Sequence, residues 1–196
     1  AKGVVQALAK LFHERGLVKG TVGFDEKNVP SQRIEGLLKE LPRITLQPAN
    51  KIFEEIRMVK SSEEIERICK AAKATEKGIK AVMEAAKPGI VNRELQLVFR
   101  TTVTEHDCAP YFAVIGAGTE GALVNHLPSN YVLKKGDTLR IDCNSVYRNY
   151  VSDVGRNAVL GPPSQKVKKY CKALIKGVDA MEKIMRPGLK VSKAAP

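Results

Sequence analysis

Residues Leu139–Asn157 read LRIDCNSVYRNYVSDVGRN, and two aspartates, Asp142 and Asp153, fall inside what is otherwise an apolar β-hairpin. Leu139, Ile141 and Cys143 alternate along one run and Val151 and Val154 lie on the other. Tyr147-Arg148-Asn149 supplies the turn, with Asn149 able to take positive φ. A turn centred on Tyr147 and Arg148 makes Asp142 face Asp153 directly, whereas a bulge at Asn149 shifts the pairing by one or two residues. Facing Cβ atoms are about 4.5–5.5 Å apart and like charges there oppose pairing. At an effective dielectric of about 20 the repulsion is roughly 3 kcal/mol. Three things could relieve it: a shared proton, an arginine such as Arg156, or two divalent ions about 3.5–4 Å apart with the carboxylates as oxygen ligands. Taken alone, aspartates on a hairpin are as readily solvated strand ends or turn formers, so the surroundings must decide.

The chain has 196 residues, enough for one substantial domain or for one domain and part of another, and its 43% hydrophobic content permits a true core. No apolar run is long enough for a membrane span and no secretion signal opens the sequence, which points to a cytoplasmic protein. Cys69, Cys108, Cys143 and Cys171 are widely spaced without a C-x-x-C pair, the pattern of reduced packed thiols. Lys and Arg number 33 against 21 Asp and Glu, a net charge of +12. The basic residues are scattered over helices that also carry Glu, and aromatics are only 5%, so a solvated lysine-rich surface is favoured over a nucleic-acid site.

Residues 1–55 alternate in type. Helical spacing covers Val4–Glu14 and Pro30–Leu41, and short strands are predicted at Gly20–Phe24 and Ile44–Leu46, the pattern of the end of an α/β domain. From 56 onward the pattern changes. Ser61 and Glu64 form a capping box ahead of a helix predicted over Ser62–Lys87, and Pro88-Gly89 stops it. A second helix starts at Asn92, read as its N-cap. The strand YFAVIGAG, the loop NHLPSN, the hairpin and a Gly161-Pro162-Pro163 break follow, and then a helix over Ser164–Met185.

AAKATEKGIKAVMEAAKPGI (71–90) lies over YCKALIKGVDAMEKIMRPGL (170–189), matching Gly78 with Gly177 and Pro88-Gly89 with Pro187-Gly188. The shared internal glycine and the common Pro-Gly stop favour a duplication over chance similarity. If each repeat is helix, helix, strands, the second is cut short. A sheet edge and an apolar surface are then left without partners, and the native protein is expected to be longer or to self-associate, as a homodimer.

From IRMVKSSEEIERICKAAKATEKGI through NHLPSNYVLKKGDTLRIDCNSVYRNYVSDVGRNAVLG to KIMRPGLKVS, the sequence resembles the pita-bread metallopeptidases. The similarity is to the Xaa-Pro branch that contains prolidase, aminopeptidase P and the creatinases. The fold it implies is α+β: the first half of a pita-bread catalytic domain over 56–196, preceded by the end of a creatinase-type N-terminal domain over 1–55. The resemblance places metal-binding aspartates at Asp142 and Asp153. It implies two divalent ions, Mn²⁺ or Co²⁺ and sometimes Zn²⁺, completed by one histidine and two glutamates from the second half. A water bridging the ions attacks the scissile carbonyl in this scheme. His126 matches the family's substrate-side histidine and Arg156 an arginine supporting the metal site, although His126 could also be an exposed loop residue and Arg156 a partner for a hairpin aspartate. Cys143 and Asn144 depart from the small, Gly-containing step of the family, and Asn149 replaces its turn glycine.

The expected function is metal-dependent hydrolysis of peptides with proline after the scissile bond, with this chain an inactive fragment. Two rivals remain open at this point: a non-catalytic pita-bread binding module for nucleic acid or protein, and a creatinase-like amidinohydrolase.

Overall fold

In the computed structural model, which describes residues 2–193, the chain divides at Ser61/Ser62 into two units, each with its own core. In the first, helix α1 (Lys2–Glu14) stops where Gly16 turns the chain at φ 69°. Strands β1 (Gly20–Phe24) and β2 (Ile44–Pro48) pair in parallel. Parallel neighbours need a crossover, and helix α2 (Ser31–Glu40) provides it. Ala9, Leu37, Leu41 and Ile44 form the core, with Phe12, Val18, Val22 and Leu46 against it. Helix α3 (Asn50–Met58), an element that the sequence pattern did not predict, closes the unit and buries none of its residues.

The second unit is a four-stranded antiparallel sheet with two helices on one face. Helix α4 (Ser62–Ala85) and helix α5 (Asn92–Glu105) lead into strand β3 (Ala109–Ala117). After a single 3-10 turn at Gly118–Ala122 come β4 (Thr138–Tyr147), β5 (Tyr150–Val151) and β6 (Val154–Val159), and then helix α6 (Gln165–Ile184). Strand β4 lies at the centre, with β3 along one side and β5 followed by β6 along the other. Leu139, Ile141, Cys143 and Ser145 of β4 are buried, and the residues between them are half-buried. Such alternation is the mark of one packed and one open sheet face. On the packed face Ile141 and Cys143 join Ile79, Val82, Leu95, Phe99 and Val103 of the helices.

Glycine at 78 is required by close packing. A Cβ there would come within 2.7 Å of Phe99 Cδ2 and 3.0 Å of Val103 Cγ1. Phe99 is fully buried, a gain of about 2–3 kcal/mol that outweighs the cost of about 1 kcal/mol for glycine within a helix. Asn92 does not cap α5; Val91 is the N-cap. The Asn92 side chain instead donates to the Ile115 carbonyl at 2.6 Å and accepts from the Ser129 N–H at 3.3 Å, tying the helix to β3 and to the loop behind it. Ser164 does cap α6, accepting from the Val167 N–H at 3.3 Å. Among the described residues no helix is long and apolar enough to cross a membrane, and all four cysteines are free thiols.

Candidate metal centre

The turn of the hairpin falls on Arg148 and Asn149, both at positive φ (45° and 68°), one residue later than the sequence pattern suggested. Two positive-φ residues make the tight hairpin turn whose twist matches the strands. The backbone at Arg148 thus adopts a conformation that Asn or Gly takes more readily. This one-residue change corrects the pairing: Asp142 faces Gly155, not Asp153. Register is continuous on both sides of a short gap, with Val146 opposite Val151 and Cys143 opposite Val154, so Asp153 falls opposite Asn144. Because partners moved by two residues, parity is preserved. Ser152 and Val154 are buried on the packed face, while Asp153 and Gly155 are exposed on the open one with half-buried Asp142 and Asn144.

The two aspartates are therefore diagonal neighbours on one face. Diagonal residues lie about 7–8 Å apart, a spacing that suits two ions about 3.5–4 Å apart better than a single ion between facing residues. Repulsion is weaker than facing residues would have felt. Asp142 has moreover a positive neighbour already: Arg140 Nη2 lies 3.1 Å from its Oδ2. Arg156, the arginine anticipated for this role, pairs with Ile141 and belongs to the other face. Its Nη2 lies 3.5 Å from Glu76 Oε1 on α4, and its Nη1 donates to the Gly155 carbonyl at 2.7 Å.

Arg140 also fixes the loop over the open face. Its Nη1 donates at 3.1 Å to the carbonyls of both Leu123 and Val124, three and two residues ahead of His126. His126 is buried at 8% exposure, and its Nε2 lies 3.0 Å from Glu120 Oε2 but off the line that a hydrogen bond needs. Glu120 is held in turn by the Ser129 hydroxyl at 2.7 Å. Gly116 lets this loop sit down: a Cβ there would be 2.8 Å from Gly121 Cα. Neither Arg140 nor Glu120 was singled out from sequence. The signal for Arg140 was its place two residues before Asp142, which in a strand means the same face; nothing local marks Glu120.

Behind Asp153 lies a closed circuit of hydroxyls. Ser152 Oγ and Thr75 Oγ1 are 2.7 Å apart, Thr75 donates to Ser145 Oγ at 2.8 Å, and Ser145 donates to the Ala71 carbonyl at 3.0 Å. The Ser145 N–H donates to Ser152 Oγ at 3.0 Å and the Ser152 N–H donates to the Ser145 carbonyl at 3.0 Å, so a side chain shares in holding the pair next to Asp153. Among the described residues no three His, Cys, Asp or Glu side chains converge to hold an ion; the carboxylates that share the open face of β4 and its partner strand are Asp142 and Asp153. Oxygen ligands of this type suit hard divalent cations. An Oδ1 of Asn144, buried without a hydrogen-bond partner beside them, fits such a group as well.

The family model described as Metallopeptidase family M24 matches residues 66–195, and that of the Creatinase/Prolidase N-terminal domain matches residues 1–59. The Xaa-Pro dipeptidase of Pyrococcus horikoshii is 25% identical over 166 residues, covering 84% of this chain and 47% of the relative. An uncharacterized peptidase of Bacillus subtilis, YqhT, is 25% identical over 170 residues, covering 85% and 47%. The crystal structure of X-Pro aminopeptidase from Thermotoga maritima superposes with a TM-score of 0.84 at 22% identity, over 95% of this chain and 53% of that one. The fold is shared with such pita-bread enzymes, and the chain spans about half the length of the relatives it matches.

Proposed function

The chain belongs to metallopeptidase family M24, and we propose from that premise that it forms one half of an Xaa-Pro peptidase with Asp142 and Asp153 as metal ligands. The observation that carries this reading is their common position on the open sheet face, diagonal across β4 and β6, inferred from the strand register. Two divalent ions, Mn²⁺ or Co²⁺ with Zn²⁺ as a third choice, would supply Lewis acidity toward the scissile carbonyl and activate water near neutral pH. The protein's own part is positional. Arg140 steadies the Asp142 carboxylate and holds the His126 loop onto the same strand. His126, walled in beside Glu120, presents an imidazole to the substrate side, where it steadies the carbonyl of a peptide with proline after the cleaved bond. Arg156 serves from behind the sheet through Glu76, apart from the reacting groups.

Two carboxylates do not complete a dinuclear site, which in this family also takes one histidine and two glutamates. The 196-residue chain alone is expected to show no metal-dependent turnover, and turnover by it would overturn this account of the ligands. In the full-length protein, cleavage of Xaa-Pro dipeptides or longer Xaa-Pro peptides should vanish on chelation and return with Mn²⁺ or Co²⁺. Asp142→Asn and Asp153→Asn should each lower kcat/KM by at least 100-fold; wild-type rates in either variant would sink the proposal. A binding module without catalysis has no use for paired carboxylates on one face, and nothing in the structure favours it.

A further inference from the structure

Arg140, Asp142 and Asn144 follow one another along the open face of β4, and only the first two have partners for their polar atoms. Arg140 is engaged by Asp142 and by two carbonyls. Asn144 Oδ1 is fully buried and accepts no hydrogen bond. A buried acceptor without a donor carries its whole desolvation cost, and in native proteins such an atom marks an ion, a water or a functional role. Its location is specific. The register puts Asn144 directly opposite Asp153 and next but one to Asp142 on the same strand, so it is the residue on this face that neighbours both aspartates. Across β4 on the other side are Phe112, paired with Asn144, and Val114, paired with Asp142; neither side chain can donate to an oxygen. Gly155, opposite Asp142, carries no side chain, and a Cβ there would touch nothing nearer than 4.0 Å.

We propose that Asn144 Oδ1 is a third oxygen ligand of this face, binding a divalent cation together with Asp142 and Asp153. The inference rests on the metallopeptidase reading and goes beyond it, because Asn144 stands at a position that departs from the family's small step and carries no ligand assignment. An amide carbonyl oxygen is a normal ligand for a hard cation, neutral and less tightly held than a carboxylate. It adds coordination without adding charge. Asn at this position thereby gives the face a ligand that neither Gly nor Ala could provide.

The test is Mn²⁺ binding to the 196-residue chain, followed by electron paramagnetic resonance of free Mn²⁺ and by loss of the Asn144 side-chain NH₂ signal in ¹⁵N NMR. Wild type should bind Mn²⁺ and lose that signal early in the titration. Asn144→Val should weaken binding about 10-fold or more, as loss of a group around a metal commonly does. Without metal, Asn144→Val should melt no lower than wild type, since the orphan acceptor is gone. Asn144→Asp, which restores an oxygen, should bind at least as tightly as wild type. Unchanged Mn²⁺ affinity in Asn144→Val, with binding lost in Asp142→Asn and Asp153→Asn, would overturn the role of Asn144 and leave the two aspartates standing. Failure of the wild-type chain to bind Mn²⁺ would overturn the three-ligand site and leave the peptidase reading to the turnover test on the full-length protein, whereas unchanged binding in all three variants would overturn both.

Discussion

Cys143 follows the first aspartate of the hairpin, yet its side chain lies on the packed face and is completely buried. Burial, and secondarily the neighbouring charge of Asp142, pushes its thiol from the usual 9.0 up to about 12. The thiolate is the reactive form, so Cys143 should resist a disulfide reagent at pH 8 in the folded protein while exposed Cys69 reacts at once. The sign for stability follows from linkage: a pKa raised by folding favours the native state below about 9 and loses that contribution as pH rises toward about 12. Labelling by mass spectrometry, native against denatured, checks the order of reactivity. Equal rates at Cys69 and Cys143 would show that this face is open. At the same scale, the pattern of the strand identified Asp142 and Asp153 as candidates and left their partners obscure. Arg140 reaches Asp142 through a neighbouring turn of the pleat, a relation readable from spacing, but its grip on the Leu123 and Val124 carbonyls joins segments that no local pattern connects.

Helices α4 and α6 carry the repeat, and their ends coincide in the alignment: both run into a Pro-Gly stop whose glycine takes positive φ, 94° at Gly89 and 88° at Gly188. Their internal glycines meet opposite surroundings. At Gly78 a Cβ collides with Phe99 and Val103, whereas at Gly177 nothing lies within 4 Å. Gly78→Ala is accordingly expected to destabilise, since overpacking costs about 1–3 kcal/mol against a helix gain of about 1 kcal/mol. Gly177→Ala has only the gain and should stabilise by about 0.5–1 kcal/mol. Urea unfolding of the two variants decides the matter, and equal signs would refute the account of packing. Helix positions and stops were legible from period and punctuation because those signals are local. The cap of α5 was not: Asn92 looked like a cap by type, but the buried Ile115 carbonyl and the Ser129 N–H claim its side chain.

For the molecule as a whole, the consequence of the repeat is an unmatched face. Ala71, Thr75, Gly78, Ile79 and Val82 of α4 are buried, while their counterparts on α6, including Leu174 at 64% and Val178 at 57% exposure, stand in the open. Contiguous apolar stripes of this kind are found where something docks. The 196-residue chain is expected to self-associate with rising concentration, and Leu174→Glu with Val178→Glu to shift it toward monomer. Light scattering across a concentration series would show it, and a monomer at every concentration in the unaltered chain would rule it out. From its own residues the sequence determined the periodic elements, their stops, the repeated helix pattern and the two aspartates as candidates, because helix period, strand alternation and turn chemistry act over a few neighbours. The family resemblance rested on the same local stretches. Only the tertiary structure decided that the turn sits at Arg148-Asn149 and that Asp142 therefore faces Gly155. It alone turned Arg156 to the helix side and left Asn144 oxygen unpaired. Those outcomes depend on how separate segments compete for the same donors, acceptors and space, and that competition exists only once the chain has folded.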